Sequence, residues 1–159
     1  MVYEIIEGFR SGCCTNILPA RFDADGKCFK KEKEQFSVVE SAIDGYISIL
    51  LDRYYTSKLQ PDRGMRVIDG FDSYGETYYS REQIESVLTD LERFVRIAGG
   101  DPLDPEYAEF FGNLPQDKTA DVIRGDARTS VDFYSRFAAR MRKMLRNMDG
   151  FDMIVFIGP

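Results

Sequence analysis

The stretch that most constrains this fold is the last one. "MIVFI", Met153 to Ile157, places five apolar residues in a row with no polar residue among them. Successive side chains of a strand point to opposite faces. A strand apolar at every position is therefore one covered on both faces. The stretch reads as an interior strand of a sheet, set off from what precedes it by the stop signal Asp149-Gly150.

An interior strand needs neighbours, and the front of the chain offers them. "VYEIIEGF" has apolar residues on both faces and reads as a strand. "NILPARFDADGKCFKKEKEQF" reads as two extended arms around the turn "DADG", where Asp and Gly suit a tight hairpin. "MRVIDGF" reads as a further short strand.

Helical spacing fills much of the middle. From Ser37 to about Ser57, Val39, Ala42, Ile43, Tyr46, Ile49 and Leu50 form one apolar stripe, with Ser37 as N-cap and Glu40 completing a capping box. Ser80 and Gln83 form a second capping box ahead of Ile84, Val87, Leu88, Leu91, Phe94 and Val95, and Gly99-Gly100 ends that helix. "DPEYAEFF" predicts a short helix with Asp104 as cap and Pro105 in first position. A third long helix starts near Thr129 or Ser130, lined by Tyr134, Phe137, Ala138, Met141, Leu145 and Met148. The expectation is one α+β domain over residues 1–159, a small sheet including both terminal strands packed on three main helices.

Composition excludes much chemistry. The 159 residues contain no histidine, which removes Ser-His and Cys-His nucleophile pairs and every His-bearing zinc site. No GxxxxGK[ST] or GxGxxG phosphate loop is present. "DADGKCFKKEKE" laid on a calcium loop puts Lys27 and Cys28 where an oxygen ligand and a glycine belong. No metal and no cofactor is expected. Cys13, Cys14 and Cys28 are an odd set, read as reduced, inert thiols. The N-terminus lacks a basic leader and no apolar run reaches bilayer length, so a cytoplasmic protein with no membrane partner is expected.

The net charge of -6 is unevenly spread. Residues 69–113 hold 11 acids and 3 bases, and residues 118–146 hold 8 bases and 3 acids. The acidic total argues against general nucleic-acid binding and suits a basic protein partner. The arginines of the last helix read as a solvated face whose stems cover apolar surface.

"DGFDSYGETYYS", Asp69 to Ser80, sits in the acidic part with three acids and four aromatic rings. As an exposed loop it would present Asp69, Asp72, Tyr74, Glu76 and Tyr78 to a cationic partner, with Asp101, Asp104, Glu106 and Glu109 as a second acidic patch. As a plain strand end, it would place Phe71 and one or two tyrosines in the core. In size, acidity, this stretch and the missing catalytic set, the chain resembles the small immunity proteins encoded beside bacterial toxins. That resemblance implies neutralisation of a basic toxin by occlusion of its active site. The alternative is a small enzyme or ligand-binding domain working through carboxylates and tyrosines, recognisable by a cleft with a few convergent polar groups.

Overall fold

The computed structural model describes residues 3–61 and 68–159. In chain order they form β1 (Ile6–Glu7), β2 (Cys14–Phe22), β3 (Cys28–Lys30), β4 (Phe36–Val39), α1 (Glu40–Ile43), α2 (Tyr46–Arg53), β5 (Glu76–Ser80), α3 (Arg81–Ala98), α4 (Pro105–Gly112), α5 (Lys118–Thr129), α6 (Val131–Arg146) and β6 (Met153–Ile157). The fold is α+β.

The sheet runs β1-β4-β2-β6-β5, and every pairing in it is antiparallel. The nine-residue β2 is its spine. Cys14 to Ile17 pair with β4, and Ala20 to Phe22 pair with β3 around the expected hairpin turn. Asp23 folds that turn by accepting from the backbone N–H groups of Asp25 and Lys27, and Gly26 takes a left-handed φ of 82°.

β6 lies between β2 and β5, as its unbroken apolar sequence requires. Ile154 and Phe156 face the main core with Ile17, Phe36, Val38 and Tyr79. Met153 and Val155 face a smaller cluster on the opposite side with Leu18, Ala20 and Tyr78. Helices α1, α2, α3 and α6 contribute buried residues to the main core, chiefly along the predicted stripes.

The helical reading of 37–57 is corrected at its start. Ser37 is not an N-cap; it lies fully buried in β4, with its hydroxyl donating to the Gly8 carbonyl at 3.3 Å. Pairing of Phe36–Val39 with β2 overrides the local capping box, since a ladder partner satisfies the backbone more completely than one side chain does. The helix begins at Glu40 and is interrupted at Asp44-Gly45. Its stripe survives the break, because α1 and α2 both bury Ala42, Ile43, Tyr46 and Leu50 against the same core.

The helices also number more than three main ones. The sequence reading passed over α5, capped by Asp117 on the Thr119 N–H, because it buries little beyond Ala120 and Ile123. The α3 capping box and the Asp104-Pro105 start of α4 form as expected. The expected strand over 65–71 begins outside the described residues, and its described part, Ile68 to Phe71, is not strand.

Candidate interaction surface

The segment from Asp69 to Ser80 divides in two. Residues 69–75 wrap over the end of β6, where the Gly158 N–H donates to the Gly75 carbonyl at 2.8 Å. Residues 76–80 are β5, an edge strand. Phe71 anchors the wrap by standing edge-on to Phe156, with ring centroids 5.9 Å apart. Asp72 shapes the turn. Its carboxylate accepts from the Tyr74 N–H at 3.0 Å, and its own N–H donates to the Thr77 hydroxyl at 3.1 Å.

Tyr78 does not stand at the surface. It is fully buried against Phe22 on the sheet face opposite the helices, and its hydroxyl donates to Glu76 at 2.8 Å. Burial, and then the Glu76 carboxylate, push its phenol far above the usual range. Glu76 itself pairs with Lys30 at 3.5 Å. Strand alternation is the reason: Tyr78 and Tyr79 point to opposite faces, and both faces are covered.

Tyr74 is the exposed aromatic of the segment, at 70%. The negative charge of Glu40 foremost, and that of Asp44 last, raises its pKa. The wrap thus lies beside three carboxylates that the sequence reading missed: Glu40, Asp44 and Asp52. They fall in one row with Ser48 at intervals of four residues, and that spacing was the available signal. Asp44, Ser48, Ile49, Asp52, Phe71 and Ser73 line a groove of 310 Å³. Asp52 accepts from the Phe71 N–H at 3.2 Å, fixing the wrap to α2. Among the described residues, Glu40, Asp44, Asp52, Asp69 and Asp72 make no ion pair.

The second acidic patch is more committed. Asp101 accepts from the Leu103 N–H, and Asp104 caps α4 through the Glu106 N–H. Glu106 is gripped by Arg96 at 2.7 and 2.9 Å and approached by Arg93 at 3.6 Å. The hydrogen bonds from Arg96 hold its carboxyl below the ordinary range. Glu109 lines a cleft that shares Ile49 with the acidic groove, so the two patches flank α2 on either side.

The arginines of α6 leave these acids alone. Arg140, only 9% exposed, pairs with Glu7 at 2.8 Å and lies over the Phe36 ring; Arg136 pairs with Asp132, and Arg142 with Glu92. Arg140 thus departs from the expected solvated face. Cys13 is exposed, Cys14 is buried in β2 and Cys28 is half-buried, all three free. Among the described residues no cluster of metal-ligating side chains forms, and no helix is long and apolar enough to cross a membrane.

What the geometry offers is a negatively charged surface around α1, α2 and the 69–75 wrap, with one projecting phenol and a shallow groove. The chain matches no family model, no curated protein and no solved structure.

Proposed function

We propose that this protein is a cytoplasmic immunity-type binding protein that neutralises a basic toxin by covering its active site. The observation that carries the reading is Glu40, Asp44 and Asp72 beside Tyr74, with Asp52 holding the Phe71 N–H and Asp69 two residues before it in the same wrap, none of the five in an ion pair among the described residues. By contrast Glu7, Glu85, Asp90, Glu92, Glu106 and Asp132 each pair with an arginine. Unpaired surface charge of one sign steers a partner of the other sign and raises the association rate. Tyr74 supplies a rigid amphipathic anchor, the kind of side chain that concentrates binding energy at protein interfaces. The groove between Asp44 and Asp52 suits a lysine or arginine side chain of the toxin, its stem against Ile49 and Phe71.

The test is co-expression with the product of a neighbouring toxin-like reading frame. The wild-type chain should restore growth, and the purified pair should associate more slowly as salt rises. Asp44→Lys combined with Asp69→Lys should slow association at unchanged melting temperature, because neither side chain makes an ion pair among the described residues. An association rate indifferent to salt and to both substitutions would remove the electrostatic mechanism.

A further inference from the structure

The 69–75 wrap leans on the end of β6, and one of its supports there has no side chain. The Gly158 N–H bond to the Gly75 carbonyl extends the β5–β6 ladder one residue beyond the Glu76–Ile157 pair. A Cβ at Gly158 would run into the backbone of the wrap. It would overlap the Ser73 carbonyl oxygen and stand 2.6 Å from the Ser73 carbonyl carbon and 2.8 Å from the Tyr74 Cα. Both distances lie well inside the normal separation of non-bonded carbon atoms. Gly158 takes no left-handed φ, so close approach of the wrap, and not backbone freedom, is what calls for glycine here.

The two sides of that contact differ in how far they can give. β6 pairs with β2 along one edge and β5 along the other, and Ile154 to Phe156 are buried on both faces. Ile157 is held between Asn16 and Glu76, which fixes the nitrogen of Gly158. The wrap is a turn with Asp69 and Tyr74 exposed. Asp72 folds it from within, and Phe71 ties its start to Asp52 and Phe156. An added atom at position 158 is therefore accommodated by residues 73–75, and Tyr74 moves with them.

We propose that Gly158 is a positioning residue of the acidic surface: its bare Cα is the seat on which Ser73 and Tyr74 rest, so the interior strand, and not helix α1, sets where the Tyr74 ring stands. An exposed ring held in place by the core before a partner arrives costs less ordering on binding. The seat follows from packing alone; its bearing on affinity rests on the toxin-binding reading.

The experiment is fluorine NMR of the full chain labelled with 3-fluorotyrosine, the Tyr74 resonance being identified by its loss in Tyr74→Phe. Gly158→Ala should shift that resonance and leave those of the buried Tyr46 and Tyr134 in place. The Tyr74 titration midpoint should fall toward the ordinary phenol value as the ring leaves the Glu40 charge. Gly125→Ala, where a Cβ meets nothing within 4 Å, should not move Tyr74. Hydrogen exchange on the unsubstituted chain is the second measurement, and the Gly158 amide should be protected along with those of β6. A Tyr74 resonance and midpoint unchanged in Gly158→Ala, or a Gly158 amide that exchanges like that of an unstructured peptide, would overturn the proposal. Against the toxin-like product, Gly158→Ala should weaken binding by about 10-fold, as Tyr74→Ala should. An unsubstituted chain that binds no such product would sink the toxin reading, while the fluorine spectra decide the seat independently.

Discussion

The side-chain amide of Gln60 hydrogen-bonds both backbone groups of Tyr78. Its oxygen accepts from the Tyr78 N–H at 2.9 Å, and its nitrogen donates to the Tyr78 carbonyl at 2.8 Å. β5 is an edge strand, and a bare edge is a template for pairing with another chain. Gln60 occupies that edge as one residue of a neighbouring strand would. Gln60→Ala should cost about 1–3 kcal/mol, the penalty of leaving such groups unpaired. It should also produce concentration-dependent dimers by size-exclusion chromatography. A variant that stays monomeric at full stability would show that Gln60 does not protect the edge.

Helix α2 has no side-chain cap of its own, since Gly45 occupies the N-cap position. Asp126 of α5 supplies one from 80 residues away, accepting from the Tyr46 N–H at 2.8 Å and from the Tyr134 hydroxyl. A Cβ at Gly45 would lie 2.6 Å from that carboxylate oxygen. Gly45→Ala should therefore destabilise despite the better helix propensity of alanine. Asp126→Ala should cost about 2 kcal/mol or more, a lost cap plus an orphaned buried phenol. Denaturant unfolding measures both. A double variant no worse than the worse single one is expected, because both changes break the same contact.

Two arginines of α6 make ion pairs of similar length in different surroundings. Arg140 meets Glu7 at 2.8 Å from a buried position, with its second terminal nitrogen unpartnered, whereas Arg142 meets Glu92 at 2.7 Å nearer the surface. Glu7→Gln should destabilise by about 1–2 kcal/mol, because the Arg140 guanidinium is buried even though Glu7 is largely exposed and the Glu34 carbonyl still accepts from it. Glu92→Gln should change stability by at most about 1 kcal/mol. Equal effects in thermal or chemical unfolding would contradict the burial argument.

Alkali should unfold this protein through its tyrosines. Burial first, and a neighbouring carboxylate second, raise the pKa of Tyr78 and Tyr134 far above the usual phenol range. A folded pKa above the unfolded one means the folded state holds the proton more tightly. The stabilisation is complete below the unfolded value of about 10 and declines as pH rises past it. Melting temperature should fall steeply above that pH, with phenolate absorbance from these two rings appearing only on unfolding. Tyr78→Phe should make the decline shallower. An equally steep decline in that variant would assign the effect elsewhere.

The elements legible in the sequence are those whose cause is local. Ser80 and Gln83 satisfy each other within one turn. Asp104 and Pro105 start α4 by their own chemistry, and Asp23 and Gly26 fold their hairpin without outside help. β6 was legible as well, because an all-apolar run has to be covered on both faces wherever it lies. Ser37 was misread because its local capping signal competes with a pairing partner 21 residues earlier, Asn16. The sequence identified one side of the acidic surface, residues 69–74. It missed Glu40, Asp44 and Asp52, whose relation to Tyr74 exists only once the wrap lies on α1 and α2.

Composition and local pattern alone thus determined the fold class, the starts of α3, α4 and α6, the interior strand and the absence of histidine chemistry. The tertiary structure decided which charges are cancelled and which remain. Glu7 finds Arg140 across 133 residues, Asp126 reaches the start of α2, and Tyr78 turns inward while Tyr74 stays out. The physical reason is range. Backbone propensity acts over a few residues, whereas the pairing and burial of a charge depend on which distant segments the packed core brings within a few ångströms.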